Sequence, residues 1–281
     1  MKIGFIGAGN VGYSLGKYLV ANNISVSGYY SKRIEDSASA SHFTDTGCYS
    51  TIEDIVYDCD TLFLTVNDDA LNDVIDELTK LKLNNKILIH TSGAKSSAIF
   101  KELNDNNYCY SLHPIYAFND KYESYKGLKQ ISFTLEGNEK HLNDIKDLFN
   151  KLGNNVVIID ALNKSKYHAS CVMLSNLVTG LIDMAFDNLA DIGIDDPAIF
   201  YSLILNNIDN VINYGTTKAL TGPVVRNDYS TVKGHLDVLK NDDKKIYAVL
   251  SKRLIEISKR RNDNDYLKLE ELLEVEVWKK E

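Results

Sequence analysis

Several features that mark specialised classes of protein are missing from this sequence of 281 residues. Lysine and arginine number 31 against 39 aspartate and glutamate, a net charge of −8, so general binding to nucleic acid or to an anionic membrane is not expected. We find no apolar run long enough to predict a membrane span. An apolar strand pattern begins at once and is interrupted by glycine, which argues against a signal peptide and predicts a cytoplasmic protein.

Cysteine and proline are also scarce. The four cysteines are scattered without a C-x-x-C pair, which predicts reduced thiols and neither a disulfide framework nor a metal site. These residues are Cys48, Cys59, Cys109 and Cys171. The chain has only three prolines, so no proline-rich linker marks a boundary, although its length is enough for two domains.

A glycine-rich turn near the start is the strongest motif in the sequence. Gly7, Gly9 and Gly12 form G-x-G-x-x-G between an apolar strand pattern and a helical pattern, and a second strand pattern follows at 24–30. This context predicts a dinucleotide-binding Rossmann unit, in which the three glycines permit the turn, the approach of a pyrophosphate and close helix packing. The alternative is a glycine turn that binds no ligand.

The same unit predicts how the phosphates are held and which dinucleotide binds. The N-terminus of the first helix, at Asn10 and Val11, should face the phosphates. The second strand ends in Ser31-Lys32-Arg33, where an NAD site would usually carry an acid. A hydroxyl and two cations suit a 2′-phosphate, so the sequence predicts NADP(H). A solvated basic turn is the alternative.

Two further strand patterns end in small polar residues. The run 61–66 ends at Val66 and Asn67, and the run 87–91 continues into Ser92. Ligands of open α/β sheets bind beyond the carboxyl ends of strands, so Val66 and Asn67 are candidate cofactor contacts. Ser92 could contact the nicotinamide or the substrate, or serve as an ordinary turn and helix cap. His113 should stand at the same edge, and we favour a structural role for it.

Beyond residue 158 the alternation of strand and helix stops. We therefore predict an α/β Rossmann domain, 1–158, with a mainly parallel, doubly wound sheet, followed by an all-helical domain, 159–281. The pattern 164–189 predicts one helix too long and too apolar for a surface position. Such helices in a small domain predict a homodimer formed through this half.

A polar stripe runs along that helix. At 3.6 residues per turn, Lys164, His168, Ser175 and Thr179 share one sector, with Asn176 at its margin. The polar groups of a stripe on a buried helix need hydrogen-bond partners, which can come from protein, water or a ligand. We interpret it as one wall of a substrate cleft; an interface stripe or a capped first turn are the alternatives.

A second polar cluster follows a Gly-Pro turn at residues 219–235, which we predict to be a loop. It contains Thr221, Arg226 and Asp228. Arg226 could bind a substrate carboxylate or pair with Asp228, and the spacing alone does not decide between them.

These motifs resemble those of the Rossmann-like bacterial proteins that carry the domain of unknown function 2520. The matching segments are Gly7–Gly12, H-T-S-G-A at His90–Ala94, H-P at His113–Pro114, K-x-x-Y-H-A at Lys164–Ala169 with S-N at Ser175–Asn176, and the segment Leu220–His235. This group is similar to F420-dependent NADP oxidoreductases and pyrroline-5-carboxylate reductases. Some members are implied to be an alternative type of ketopantoate reductase.

The resemblance implies an NADPH-dependent reductase of a small α-keto acid, most specifically 2-dehydropantoate. Lys164 would be the general acid or the oxyanion stabiliser, with His168 as second choice. Ser92, Ser175, Asn176 and Thr221 would contact the substrate, and Arg226 or Lys166 would hold its carboxylate. In better-known ketopantoate reductases asparagines follow this lysine by four and eight residues, whereas here His168 and Val172 do. The alternatives are a cyclic-imine reductase and a non-catalytic NADP(H)-binding protein.

Overall fold

The computed structural model describes residues 1–278, and the chain divides into two compact units. The first is Met1–Val178 and the second begins at Thr179. The last three residues of the predicted helical domain lie outside the described part.

The described part of the first unit is built on an eight-stranded sheet of order β3-β2-β1-β4-β5-β6-β7-β8. Strands β1 to β6 run parallel, β7 runs antiparallel to β6, and β8 runs parallel to β7. Their bounds are β1 Ile3–Ile6, β2 Val26–Tyr30, β3 Gly47–Cys48, β4 Thr61–Leu64, β5 Ile87–His90, β6 Tyr108–Pro114, β7 Ser132–Gly137 and β8 Asn155–Ile158. The mainly parallel α/β sheet predicted from the sequence is confirmed.

Helices cover both faces of this sheet, as the apolar strands of a parallel sheet require. One buried cluster lies on each face, centred on Phe5, Tyr29 and Phe63 on one side and on Leu62, Leu64 and Leu88 on the other. The helices are α1 Asn10–Ala21, α2 Ile34–Thr44, α3 Ile52–Asp58, α4 Leu71–Thr79, α5 Leu142–Lys151 and α6 Lys164–Leu174. Strand structure ends at Ile158, but α6 belongs to the first compact unit.

The chain continues in helices α7 Asn176–Ala190, α8 Tyr201–Ala219, α9 Tyr229–Val238, α10 Asn241–Ser258 and α11 Leu267–Trp278. The core of the second unit contains Val232, Ala248, Ile255 and Leu269. An all-helical region after the sheet is thus confirmed.

Two predicted elements were wrong in detail. The predicted helix 164–189 is interrupted at Ser175 (φ −128°, ψ −81°), whose hydroxyl donates to the Cys171 carbonyl at 2.8 Å and competes with the helical ladder. The predicted loop 219–235 becomes helical at Tyr229. Asp228 caps this helix, because its carboxylate accepts from the Thr231 backbone N–H at 3.1 Å.

The α6–α7 stretch also departs from the expected burial. Apart from Lys164 no residue of α6 or α7 is buried, and Leu174 is 82% exposed. No membrane span is predicted from the apolar runs of the sequence, yet the helical stretch Ala161–Ala190 is long and apolar enough to cross a bilayer by length and composition alone. An apolar stretch that one chain leaves uncovered calls for a covering partner or surface.

Candidate active site

The glycine turn has the geometry that a pyrophosphate site requires. Gly7 has φ +106°, and a Cβ there would lie 2.8 Å from the Val66 backbone nitrogen. A Cβ on Gly12 would lie 2.5 Å from the Gly7 carbonyl oxygen. Both positions therefore need glycine. At Gly9 the nearest atom to such a Cβ is 3.8 Å away, so the backbone there is open to an approaching ligand.

The first helix begins directly beyond this turn. Gly9 is its N-cap residue and makes no side-chain capping bond, so the N–H groups of the first turn remain available for phosphate oxygens. The Asn10 side chain donates to the Phe118 carbonyl at 2.9 Å, which leaves its backbone as the part suited to the phosphate. Val11 follows in the first turn, half-buried.

Ser31, Lys32 and Arg33 follow the end of β2, as predicted. Lys32 and Arg33 are exposed and Ser31 is half-buried. Arg33 pairs with Asp36, with its Nη2 2.7 Å and its Nε 2.8 Å from the same carboxylate oxygen. Two cations and a hydroxyl at this position fit a 2′-phosphate.

Val66 and Asn67 lie just past β4. Val66 contacts the glycine turn through the Gly7 position described above. The Asn67 side chain accepts from the Ala70 backbone N–H at 3.0 Å and so supports the turn into α4. Asn67 is exposed and remains accessible to a ligand.

Ser92 serves the turn beyond β5. Its hydroxyl accepts from the backbone N–H of Ala94 at 3.2 Å and of Lys95 at 2.9 Å. Ser92 therefore supports the turn, which was one of the two roles that the sequence suggested for it. A hydroxyl also has one O–H donor, which these two bonds do not use, so contact with a ligand stays compatible with the turn.

One face of the antiparallel pair β6–β7 is polar and buried. The register places Ser111 opposite Glu136 and His113 opposite Thr134. Alternate residues on a strand share a face, so these four side chains form one patch, while Tyr110, Leu112, Phe133 and Leu135 fill the core behind. Buried polar groups need partners, and the first turns of α6 supply them for Ser111 and His113.

Lys164 lies over this patch and is only 2% exposed. Its Nζ donates to the Ser111 hydroxyl at 2.6 Å, and that hydroxyl donates to the Ser92 carbonyl at 3.3 Å. Burial lowers the pKa of Lys164 to about 8, against the opposing effect of Glu136. The ammonium thus lies next to the turn after β5. Its pKa is close to physiological pH, so it can give up a proton.

His113 and Tyr167 form a second pair beside it. The His113 Nδ1 and the Tyr167 hydroxyl are 2.7 Å apart. Burial, and then the charge of Lys164, lowers the pKa of His113 to about 4, so its imidazole is neutral at physiological pH. Burial raises the pKa of Tyr167, which keeps its phenol protonated.

His168 packs on the other side of the His113 ring, with ring centroids 6.0 Å apart. A Cβ on Gly93 would lie 2.4 Å from the His168 Nδ1 and 2.8 Å from the His113 Nε2. Only glycine therefore fits at residue 93. The buried Nδ1 of His168 has no hydrogen-bond partner among the described residues, an arrangement that a ligand or water would relieve.

His90, at the end of β5, is fully buried. Its Nδ1 accepts from the Ser92 backbone N–H at 3.2 Å. Burial lowers the pKa of His90 to about 3, so it is a neutral support for the Ser92 turn.

The other predicted substrate contacts are exposed side chains. Ser175 and Asn176 are exposed at the break between α6 and α7, and Ser175 bonds to Asn176 at 3.0 Å. In the second unit Thr221 and Arg226 are exposed. The Asp228 carboxylate bonds to Thr231 and Ser230, and these bonds, with a smaller effect of Arg226, lower its pKa.

Sequence reasoning missed Ser111, Tyr167 and Glu136. The signal for Ser111 and Glu136 was an alternation of polar and apolar residues in 110–113 and 133–136, which marks a strand with two different faces. Such a pattern predicts a polar face but not which helix covers it.

Two family descriptions match parts of the chain. Residues 2–93 match the family described as NADP oxidoreductase, coenzyme F420-dependent, and residues 131–254 match the domain of unknown function 2520. None of the curated proteins matches the sequence.

Solved structures share the fold at low sequence identity. Protein TM1727 from Thermotoga maritima is 23% identical with a TM-score of 0.72, and the match covers 92% of this chain and 98% of that one. An imine reductase from Myxococcus stipitatus in complex with NADP+ is 14% identical, with a TM-score of 0.61 and coverage of 92% and 93%. A pyrroline carboxylate reductase from Plasmodium falciparum with NADP bound is 18% identical, with a TM-score of 0.60 and coverage of 92% and 98%.

Together the family match and the glycine turn support an oxidoreductase that uses NADP(H), as predicted. The chain thus joins an NADP(H)-binding Rossmann domain, in which residues 2–93 match the NADP oxidoreductase family, to a C-terminal region that matches the domain of unknown function 2520.

Proposed function

We propose that this protein is a cytoplasmic, NADPH-dependent reductase of a small α-keto acid, with 2-dehydropantoate as substrate and pantoate as product. The observation that carries the proposal is the buried ammonium of Lys164, bonded to Ser111 beside the turn after β5. In open α/β sheets this carboxyl edge is where ligands bind.

The proposed chemistry is a hydride and a proton added to one carbonyl group. NADPH, when bound, supplies the hydride for the carbonyl carbon. Lys164 donates its proton to the carbonyl oxygen, so that a hydroxyl forms and the amine is left neutral. A lysine whose pKa is about 8 suits this role, because it is mostly protonated at neutral pH yet gives up its proton readily.

His168 is the second candidate for the proton donor. Its ring packs against Gly93, and its Nδ1 lacks a partner among the described residues. Lys164 is preferred because an ammonium carries the positive charge that stabilises a developing alkoxide.

We assign recognition of the substrate carboxylate to a positively charged side chain. Arg226 and Lys166 are both exposed and are the candidates named by the sequence motifs. Arginine binds a carboxylate through two parallel bonds, so Arg226 is the first choice. Ser92, with its unused hydroxyl donor, is proposed as a further substrate contact, and Ser175, Asn176 and Thr221 remain proposed contacts from their motifs.

A cyclic imine is the second candidate substrate, because the structural neighbours include proteins named pyrroline-5-carboxylate reductase and imine reductase. An iminium ion already carries its proton and its positive charge. A buried ammonium would repel that charge, whereas it would attract a polarised carbonyl oxygen. Lys164 therefore favours the keto acid.

A substrate panel separates these proposals. We expect the purified protein to oxidise NADPH faster with 2-dehydropantoate than with pyrroline-5-carboxylate, followed by absorbance at the nicotinamide band, and to use NADH poorly. Turnover of the imine alone would transfer the assignment to the second candidate. NADPH binding without turnover of either compound would favour a non-catalytic binding protein.

A further inference from the structure

Among the side chains that the structure describes, one acidic and one basic residue are buried. Glu136 is 3% exposed and Lys164 is 2% exposed, while the other aspartate, glutamate, lysine and arginine side chains there are half-buried or exposed. A buried charge is costly unless another charge or several hydrogen bonds compensate it. Two opposite charges buried in one cluster therefore call for a common explanation.

The strand register brings the two charges together through Ser111. Glu136 on β7 is directly opposite Ser111 on β6. Opposite residues of an antiparallel pair have their Cβ atoms about 4.5–5.5 Å apart and on the same face. The Ser111 hydroxyl accepts from the Lys164 Nζ at 2.6 Å. The Ser111 side chain thus lies between the Lys164 ammonium and the Glu136 carboxylate. These two groups form no direct ion pair among the described residues.

Ser97 holds the Glu136 carboxylate in place. The Ser97 backbone N–H and its hydroxyl donate to the two Glu136 carboxylate oxygens, each at 2.7 Å. Both partners are donors, so both carboxylate oxygens serve as acceptors. Glu136 is therefore a fixed, buried acidic group on the strand pair that Lys164 contacts through Ser111.

We propose that Glu136 is a positioning residue, whose buried negative charge, held by Ser97, keeps the Lys164 ammonium protonated and in place as the proton donor. This inference rests on the function proposed above. Without Glu136 the strongest effect that opposes burial would be lost, and burial favours the neutral amine of Lys164.

Other titratable groups also act on Lys164. Burial lowers its pKa, and Glu136 is the strongest of the groups that raise it, followed by Cys171 and Asp68. The charge of Lys164 is in turn felt by His90 and His113, and its Nζ is 5.7 Å from the ring centre of Tyr167. Both histidines are neutral at physiological pH and so add no like charge, which leaves Glu136 as the strongest charged influence on the Lys164 pKa.

The test is a direct measurement of the Lys164 pKa by NMR of the full-length protein labelled with 13C at lysine Cε, the signal being assigned with a Lys164→Arg variant. Glu136→Gln keeps the shape and can still bond to Ser97. We expect it to lower the Lys164 pKa by about one pH unit, because an opposite charge at this range is lost. Glu136→Asp should restore most of the shift. Glu139→Gln, which removes an exposed charge three residues away, is the matched control and should change nothing.

A purely structural role for Glu136 would leave the Lys164 pKa of a folded Glu136→Gln variant unchanged, and that result would overturn the proposal. Glu136→Met provides a second neutral side chain if the glutamine variant does not fold. In the NADPH assay, kcat/KM for 2-dehydropantoate should fall at high pH. Glu136→Gln should move this fall to lower pH by the same amount as it moves the Lys164 pKa. If no keto acid is reduced but the NMR shift is found, the proposed function fails while the coupling of Glu136 to Lys164 stands.

Discussion

At the scale of single residues, Arg33 is the group that most directly tests the choice of cofactor. Its side chain is 75% exposed and pairs with Asp36, so a 2′-phosphate must share or replace that carboxylate. We expect Arg33→Ala to raise the KM for NADPH by about tenfold, since hydrogen bonds to charged groups contribute about 1.5–3 kcal/mol, and to leave the KM for NADH unchanged.

Arg253→Ala provides the control for this measurement. Arg253 forms the same i,i+3 pair, with Glu256 on α10, at 60% exposure. Its removal should leave both KM values unchanged. An equal rise for NADPH and NADH in Arg33→Ala would mean that Arg33 does not read the 2′-phosphate.

The environment of Lys164 could be predicted only in part from the sequence. Its place at the start of a helix and its polar neighbours were visible from spacing alone. Its partners were not, because Ser111 and Glu136 lie far away in sequence and meet only through the β6–β7 register. Long-range contacts of this kind leave no local periodic signal.

At the scale of elements, the apolar faces of α7 and α8 are the largest feature without an explanation inside one chain. Leu203, Leu205 and Ile212 on α8 are each at least 65% exposed, and Leu177 on α7 is 58% exposed. Exposed apolar surface of this extent is typical of a protein interface. We propose that a second copy of the chain covers it, giving the homodimer expected from the sequence.

Size-exclusion chromatography with light scattering tests this proposal. We expect about twice the 31.6 kDa of one chain at micromolar concentration, and a shift to the monomer when Leu205 and Ile212 are both changed to glutamate. Two charges buried in an interface without partners oppose association. Tyr57→Glu, at a 67% exposed position on α3, should remain dimeric. A monomeric wild-type protein would refute the dimer.

The element boundaries show which signals the sequence carries. The glycine turn and the order of strands and helices were predictable, because each depends on local conformation or on apolar periodicity. The break at Ser175 was not, since Ser175 lies between segments that share one helical pattern. Helix α9 was missed because the Gly-Pro turn before it favoured a loop, although Asp228 and Thr231 have the spacing of a cap.

At the scale of the whole molecule, the first unit holds both the glycine turn and the buried polar cluster. Within the cluster, His90 and Ser92 support the turn after β5, and Ser111 connects that turn to Lys164. The cofactor could be predicted from the sequence because its two main motifs, Gly7–Gly12 and Ser31-Lys32-Arg33, lie within one local strand–helix–strand unit. The substrate rests on resemblance and on the chemistry of this cluster.

The most direct test of the central claim is a single-turnover measurement of NADPH oxidation by 2-dehydropantoate, comparing the wild-type protein with Lys164→Met. We expect the wild-type rate to be constant at lower pH and to fall above about pH 8, because Lys164 must be protonated to act and its pKa lies there. Lys164→Met should bind NADPH normally but react about 100-fold more slowly or worse. A Lys164→Met variant that oxidises NADPH at the wild-type rate would contradict the account.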